Sequence, residues 1–361
     1  MKEKVAVIGA GSWGTALAMV LADNGHDVRL WARRKEQVEE MNKEHTNTRY
    51  LPGRVLPENI KGYHDLKEAV SGVSFVLLVV PTKAIRETLQ HMKPYLNSEP
   101  VLIHASKGIE PDSLKRISEM IEDEVEDNLI GSTVVLSGPS HAEEVCERQP
   151  TSVTVSSLDA QSAKQAQDLF MNKHFRVYTN LDLIGVELGG ALKNIIALGV
   201  GLTDGLEYGD NAKAALMTRG LAEIARLGIK LGANPMTFAG LSGLGDLIVT
   251  CTSTHSRNWR AGNMLGKGMD LNQVLKEMGM VVEGVRTTQA AYQLAERESV
   301  EMPITEALYD VLFNDRLPEE AVERLMGRVK KHEVENLSFL LGPDFQGGYS
   351  EKTSPPRSED I

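Results

Sequence analysis

The stretch from Lys4 to Trp31 constrains this chain more than any other. Lys4 to Ile8 is a short apolar run that reads as a strand, Gly9-Ala-Gly11-Ser12-Trp13-Gly14 as a glycine turn, Thr15 to Asn24 as a helix and Asp27 to Trp31 as a second strand. A glycine pattern alone says little; strand, turn, helix and strand in this order make a βαβ unit. Its strands must run parallel, and parallel strands need cover on both faces. The order predicts an α/β chain opening with a doubly wound Rossmann-type dinucleotide-binding domain. Gly9 permits the tight turn, Gly11 lets the backbone approach a pyrophosphate, and Gly14 allows close helix–strand packing. Ser12 and Trp13 stand where the helix start offers amides and a positive dipole end to an anion.

The end of the second strand should then carry a carboxylate for the adenosine ribose. Trp31-Ala32-Arg33-Arg34 supplies two guanidiniums and no carboxylate. Their planar forks match a 2′-phosphate, which favours NADPH, with NADH as the alternative if the arginines only begin a solvated helix containing Gln37 to Met41.

Further strands follow at Val73 to Val80, Val101 to Ala105 and Val134 to Ser137. The second of these delivers Ser106-Lys107-Gly108 to the carboxyl edge of the sheet, where doubly wound folds bind ligands. The third leads into Gly138-Pro-Ser140-His-Ala142, whose small residues and hydroxyls can offer amides to an anion. Ser152 to Ser156 and Phe175 to Thr179 alternate as two more strands around an amphipathic helix from Asp159 to Met171. From Leu183 the pattern turns helical, with helices at Asn211 to Leu231, Asn272 to Met278, Thr287 to Glu298, Pro303 to Phe313 and Pro318 to Met326. The expected division is residues 1–182 for the dinucleotide domain, 183–341 for a mainly α-helical substrate domain, and 342–361 for a disordered tail rich in glycine, serine, proline and charge.

The helical half opens on Gly189-Gly-Ala-Leu-Lys193-Asn-Ile-Ile, an apolar helix with one lysine and seven glycines between Gly185 and Gly209. Each interior glycine costs a helix roughly 0.5–1 kcal/mol relative to alanine, so something must pack closely against this one. A buried ammonium needs a partner or a task, unless its stem simply snorkels to water.

Gly-Ala-Leu-Lys-Asn-Ile-Ile-Ala, followed by Gly201, Asp204, Gly205, Gly209 and Asn211, resembles the signature of the NAD(P)-dependent glycerol-3-phosphate dehydrogenases, bacterial type. So do Ser-Lys107-Gly, Gly-Asp246 and the run Ser256-Arg257-Asn258; the resemblance spans Lys4 to about Arg328. It implies reversible reduction of dihydroxyacetone phosphate to sn-glycerol 3-phosphate, which feeds phospholipid synthesis. It makes Lys193 the proton-transfer residue and puts Lys107, Gly138, Ser140, Lys193, Asp246, Ser256, Arg257 and Asn258 on the substrate. Arg257 and Asn258 take its phosphate, and Asp246 either touches substrate or orients Lys193. On the cofactor it puts Gly9, Gly11, Ser12, Trp13, Gly14, Arg33, Arg34, Lys107, Ala142, Arg257, Val281 and Glu283. Like-charge repulsion from Lys107 is expected to lower the pKa of Lys193.

Composition suits a soluble globular protein. A net charge of -11 and a pI near 5.4 argue against nucleic acid and anionic membranes as partners. No apolar run approaches the ~20 residues of a membrane span. Cys146 and Cys251 have neither disulfide nor zinc spacing, which suits reduced thiols in a cytoplasm, and no metal site is expected. Cys251 with His255 is a weaker nucleophile–base option. Two other readings remain open: a related two-domain hydroxy-acid dehydrogenase, and a non-catalytic NADPH-binding sensor. A homodimer is compatible with either half.

Overall fold

The computed structural model describes residues 2–330; the expected tail and the last residues of the expected helical domain lie outside them. Strands β1 (Lys4–Ile8) and β2 (Asp27–Trp31) flank a helix over Ser12–Asp23, and the residues between the ends of β1 are buried on both faces as a covered parallel strand requires. The sheet continues with β3 (Ile60–Tyr63), β4 (Phe75–Leu78), β5 (Val101–His104), β6 (Ser132–Ser137), β7 (Thr151–Ser156) and β8 (Phe175–Asn180). Its order is β3-β2-β1-β4-β5-β6-β7-β8. All neighbours run parallel except β6 and β7, which pair antiparallel. One apolar cluster covers each face: Leu17, Leu21, Leu77 and Phe170 on one, and Ile8, Leu78, Leu89 and Met120 on the other.

The run Val73 to Val80 forms a shorter strand than its apolarity suggests, because β4 stops at Leu78 and the chain then turns to carry Thr82 over the sheet edge. Several elements had no clear pattern, among them β3, only four residues long, the short helices Leu66–Val70 and Asp246–Thr252, and the helix Ile117–Glu124, whose capping Arg116 is an unusual cap residue.

After β8 the chain enters the lysine helix, Leu183–Gly205, capped by Asp182 accepting from the amide of Gly185. At mean hydropathy 1.6 over 23 residues it is long and apolar enough to cross a membrane, contrary to the expectation that no run approaches that length; here 94% of that stretch is buried by the protein itself. It is the axis of the helical half, packed by Asp210–Lys230, Asp246–Thr252, Arg257–Gly266, Glu283–Glu298 and Pro303–Phe313. Its glycines explain the closeness. A Cβ on Gly201 would lie 2.0 Å from the carbonyl oxygen of Trp259, and one on Gly205 would lie 2.4 Å from that of Asn263. From the other side, a Cβ on Gly262 would lie 1.9 Å from the carbonyl oxygen of Leu198, and one on Gly266 would lie 2.3 Å from that of Leu202. Two glycines spaced by four on each helix thus let the backbones touch, and any side chain there would force them apart.

Candidate active site

The first wall of the site is the glycine turn. Gly9 has φ +119, and a Cβ on it would meet the carbonyl oxygen of Val79 at 2.4 Å, so the turn admits no other residue without strain. A Cβ on Gly14 would strike the carbonyl oxygen of Gly9 at 1.9 Å, whereas nothing lies within 4 Å of one on Gly11. That open space faces the first turn of Ser12–Asp23, whose amides have no intrahelical acceptors, and it is a cradle shaped for a pyrophosphate. The turn is braced from below: Gln37 and Asn47 both donate to the carbonyl of Ala10, at 2.6 and 3.1 Å, and Ser12 Oγ donates to the carbonyl of Tyr50 at 2.8 Å. Arg33 is exposed, while Arg34 is half-buried, donates to Gln37 Oε1 at 3.1 Å and stands 5.7 Å from the Tyr50 ring. Arg49 lies over the same ring at 5.9 Å. Two guanidiniums, those of Arg34 and Arg49, thus share the Tyr50 ring just beyond the end of β2, with Arg33 next to them in sequence, and residues of this kind fit NADPH.

The second wall is a pair of lysines on one carboxylate. Lys193, 6% exposed, donates to Asp246 Oδ1 and, at 2.7 Å, to Thr250 Oγ1. Lys107 donates to Asp246 Oδ2 at 2.6 Å and to the carbonyl of Gly138 at 3.3 Å, and Ser140 Oγ donates to that same carbonyl at 2.9 Å. Local sequence makes this meeting possible. Gly190 lies so close to the sheet edge that a Cβ on it would be 2.6 Å from Ser137 Oγ, and Gly189 so close to the Asp246 loop that a Cβ would be 2.6 Å from the carbonyl oxygen of Ser242. The glycine pair is where the lysine helix is gripped between the two.

Burial is the largest influence on Lys193 and, with the Lys107 ammonium adding to it, lowers its pKa to about 7 against the opposing pull of Asp246. The repulsion by Lys107 expected from sequence is present, and desolvation, which the sequence alone does not show, is the larger of the two lowering causes. An amine poised near neutrality can both give and take a proton at physiological pH. Asp246 is 1% exposed and both its oxygens are held by the lysines, so it lies behind them and its geometry suits orientation better than substrate contact.

The third wall is the start of the helix Arg257–Gly266. Ser256 is its cap, accepting from the amide of Trp259 at 3.2 Å, which leaves the first-turn amides of Arg257 and Asn258 without intrahelical acceptors, next to the exposed Arg257 guanidinium. The Asn258 side chain is buried and already engaged: its Nδ2 donates to Asn194 Oδ1 at 2.8 Å and its Oδ1 accepts from the amide of Gly284 at 2.9 Å. An anion here would meet the Asn258 backbone more readily than its carboxamide oxygen. Arg257 Nη1 donates to the carbonyl of Val281 at 3.4 Å, and Glu283 Oε1 accepts from the amide of Thr82 at 3.1 Å. Glu283 Oε2 is a buried oxygen without a hydrogen-bond partner. The segment Val281 to Glu283 thus closes against the loop after β4, across the cleft from the glycine turn. Ala142 is buried at the start of the helix Ala142–Cys146, beside the helix that follows the glycine turn.

Most of the chain matches known proteins. The description NAD-dependent glycerol-3-phosphate dehydrogenase N-terminus covers residues 4–163, and the corresponding C-terminus covers residues 182–323. The chain belongs to the NAD-dependent glycerol-3-phosphate dehydrogenase family. A glycerol-3-phosphate dehydrogenase [NAD(P)+] of Bacillus cytotoxicus is 69% identical over 337 residues, 93% of this chain and 99% of that protein. The protein of the same name from Bacillus thuringiensis is 67% identical over 338 residues, 94% of this chain and 99% of its own length. Among solved structures, the glycerol-3-phosphate dehydrogenase of Coxiella burnetii superposes with a TM-score of 0.86 at 42% identity, covering 91% of this chain and 99% of that one.

For a glycerol-3-phosphate dehydrogenase of this build, several side chains at the site carried no separate signal in the sequence. Thr250 is an ordinary helical residue until the fold turns its hydroxyl, itself donating to the carbonyl of Asp246 at 2.6 Å, toward Lys193. Arg49 and Tyr50 lie in a stretch without periodicity. Asn194 stood inside the signature, yet its link through Asn258 to Gly284 joins three helices and only the fold brings them together. The Cys251–His255 option fails: Cys251 is buried, burial pushes its thiol up to about 12, and His255 is exposed beyond it.

Proposed function

We propose that the residues assembled here reduce dihydroxyacetone phosphate to sn-glycerol 3-phosphate, with Lys193 as the proton donor. The observation that carries this reading is the buried Lys193 ammonium with a pKa of about 7, paired to Asp246 and flanked by the open amides at Arg257 and Asn258. NADPH, when bound along the glycine turn, supplies the hydride to the ketone carbon. Lys193 gives the proton that the developing alkoxide requires and takes it back in the reverse reaction. Lys107 orients the carbonyl from the far side of Asp246, and Asp246 keeps both ammoniums aimed at one point. The substrate phosphate is held by Arg257, by the amides at the start of its helix and by Ser140 and Gly138 across the cleft, and that binding fixes the reacting carbon. Arg33 and Arg34 hold the 2′-phosphate, and Val281, Glu283 and Ala142 border the nicotinamide side.

On this reading the chain divides between residues 182 and 183, the catalytic cleft lies between the halves, and the enzyme works in the cytoplasm supplying glycerol 3-phosphate for phospholipids. A homodimer is the assembly to look for by light scattering. The decisive assay follows NADPH oxidation by its loss of absorbance on addition of dihydroxyacetone phosphate, unphosphorylated dihydroxyacetone or a 2-oxo acid. Turnover with the phosphorylated ketone alone supports the assignment, and turnover with the 2-oxo acid alone overturns it.

A further inference from the structure

Six residues before Lys193 on the same helix, Glu187 takes a second carboxylate into the interior, away from the cleft; its side chain is 4% exposed. Its oxygens are fully used. Oε1 accepts from the amide of Ser118 at 2.8 Å and lies 3.2 Å from Nε2 of His104, a close contact without the geometry of a hydrogen bond. Oε2 accepts from Ser118 Oγ at 2.7 Å and from Nη1 of Arg116. Burial opposes the charge on Glu187, but the hydrogen bonds and charges of His104, Arg116 and Ser118 together outweigh it and hold the carboxyl below its ordinary range. Glu122, whose own carboxyl is raised by burial, is the other charge that faces it.

The partners come from two places that matter to the cleft. His104 is the last residue of β5, three before Lys107, and Arg116 and Ser118 open the helix Ile117–Glu124 beside that strand. Glu187 thus ties the lysine helix to the strand end that carries the other lysine. An apolar residue would fill the same volume at no cost in desolvation, so stability alone does not call for a charge here. What a satisfied polar cluster adds is a single allowed arrangement, since sliding the helix would break every bond at once. Along the helix, Lys193 is about 9 Å beyond Glu187 at 1.5 Å per residue, a rigid span.

We propose that Glu187, held by Arg116 and Ser118 and packed against His104, is a positioning residue that sets the lysine helix against the end of β5 so that Lys193 and Lys107 meet on Asp246. The inference rests on the reading of Lys193 as proton donor. Its test is the pH dependence of kcat for dihydroxyacetone phosphate reduction at saturating NADPH in Glu187→Gln, with Glu187→Asp and Lys193→Met in parallel. Lys193 faces Asp246 and Lys107 directly, with His141 and Cys251 further off. Once the tie is cut, Lys193 withdraws from Asp246 while staying buried, so the partner that favours its protonated form weakens and the high-pH fall in kcat moves to lower pH. The expected kcat at the optimum is roughly 10- to 100-fold down, the worth of a small misplacement, with substrate KM and NADPH affinity within about twofold. Glu187→Asp, which keeps the charge, recovers most of both. A Glu187→Gln enzyme with unaltered kcat and pH profile, whatever its melting temperature, overturns the proposal. Should that variant not fold, Arg116→Gln carries the same test with a smaller shift expected, and an unchanged profile there has the same meaning. Near-normal kcat in Lys193→Met overturns the proton-donor reading and this inference with it, whereas an inactive Lys193→Met beside an unchanged Glu187→Gln profile removes only the positioning role.

Discussion

Two groups of cations face the cleft, and they are built in opposite ways. Arg34 and Arg49 stand at the outer end over Tyr50, half-buried and exposed, with the exposed Arg33 beside Arg34 in the chain, and their charges are ones that water already stabilises. Lys107 and Lys193 stand at the inner end, where Lys193 is almost wholly removed from water and shares one carboxylate with its neighbour. Guanidiniums remain charged at any working pH and present fixed forks, so exposure costs them nothing and geometry gives recognition. An ammonium in the interior is different: burial makes its proton easy to lose, and a nearby carboxylate keeps it from being lost too early. On the proposed reading the cations outside serve binding and those inside serve chemistry, and each prediction below tests one side of that division.

The largest effect is expected at the inner end. Lys193→Met keeps the length and apolar stem but removes the proton donor, so kcat should fall by roughly 10²–10⁴ with NADPH affinity and thermal stability little changed. Steady-state kinetics with a cofactor titration check this, and a kcat near that of the unmodified enzyme would leave Lys107 as donor and erase the contrast. The same lysine sets a pH rule. Ketone reduction needs its acid form, which is present below about 7, so kcat should decline as pH rises through about 7, by roughly tenfold for each further unit while proton donation limits the rate. Glycerol 3-phosphate oxidation, which needs the free amine, should rise over the same range. Parallel profiles in the two directions would mean that another group limits both.

The outer end should fail differently. Arg33→Asp with Arg34→Ala removes the forks and restores a ribose carboxylate, so kcat/KM with NADPH should fall about 10- to 100-fold while that with NADH holds or improves. Equal kcat/KM for the two cofactors in the unmodified enzyme would sink the assignment of these arginines. Arg257→Lys, which exchanges a fork for a point charge, is the mildest change: substrate KM should rise by roughly 3- to 10-fold with less change in cofactor affinity. A KM within experimental error would reduce Arg257 to a cap or surface residue.

How much of this was legible in the sequence follows the same inner and outer division. The glycine turn and its flanking strands were readable almost residue by residue, because each glycine answers a local demand of backbone and the apolar runs are short and bounded. The lysine helix was readable for the same reason, and its glycines announced a close neighbour without saying which. What sequence does not hold is direction and partnership. Nothing local to Thr151–Ser156 tells that β7 turns back against β6, since strand direction depends on how the intervening chain folds. The helix from Thr287 begins a turn earlier, at Glu283, where apolar periodicity is weak but the backbone is already helical. The joining of Lys107, Lys193 and Asp246 spans residues 139 and 53 apart, and the dominance of burial over repulsion at Lys193 emerges only when the helices close around it.

The glycine contacts between the lysine helix and the helix Arg257–Gly266 also fix a length. Backbone meets backbone at Gly201, Gly205, Gly262 and Gly266, leaving no side chains to repack and therefore no soft layer through which one helix could slip on the other. The proposed phosphate anchor rides on one of these helices and the proposed proton donor on the other, so the gap between them behaves as a caliper cut to one opening. On that reading a molecule that seats its phosphate at one jaw presents its carbonyl to the other only if the right number of bonds lies between, so selection would come from measuring the substrate from end to end.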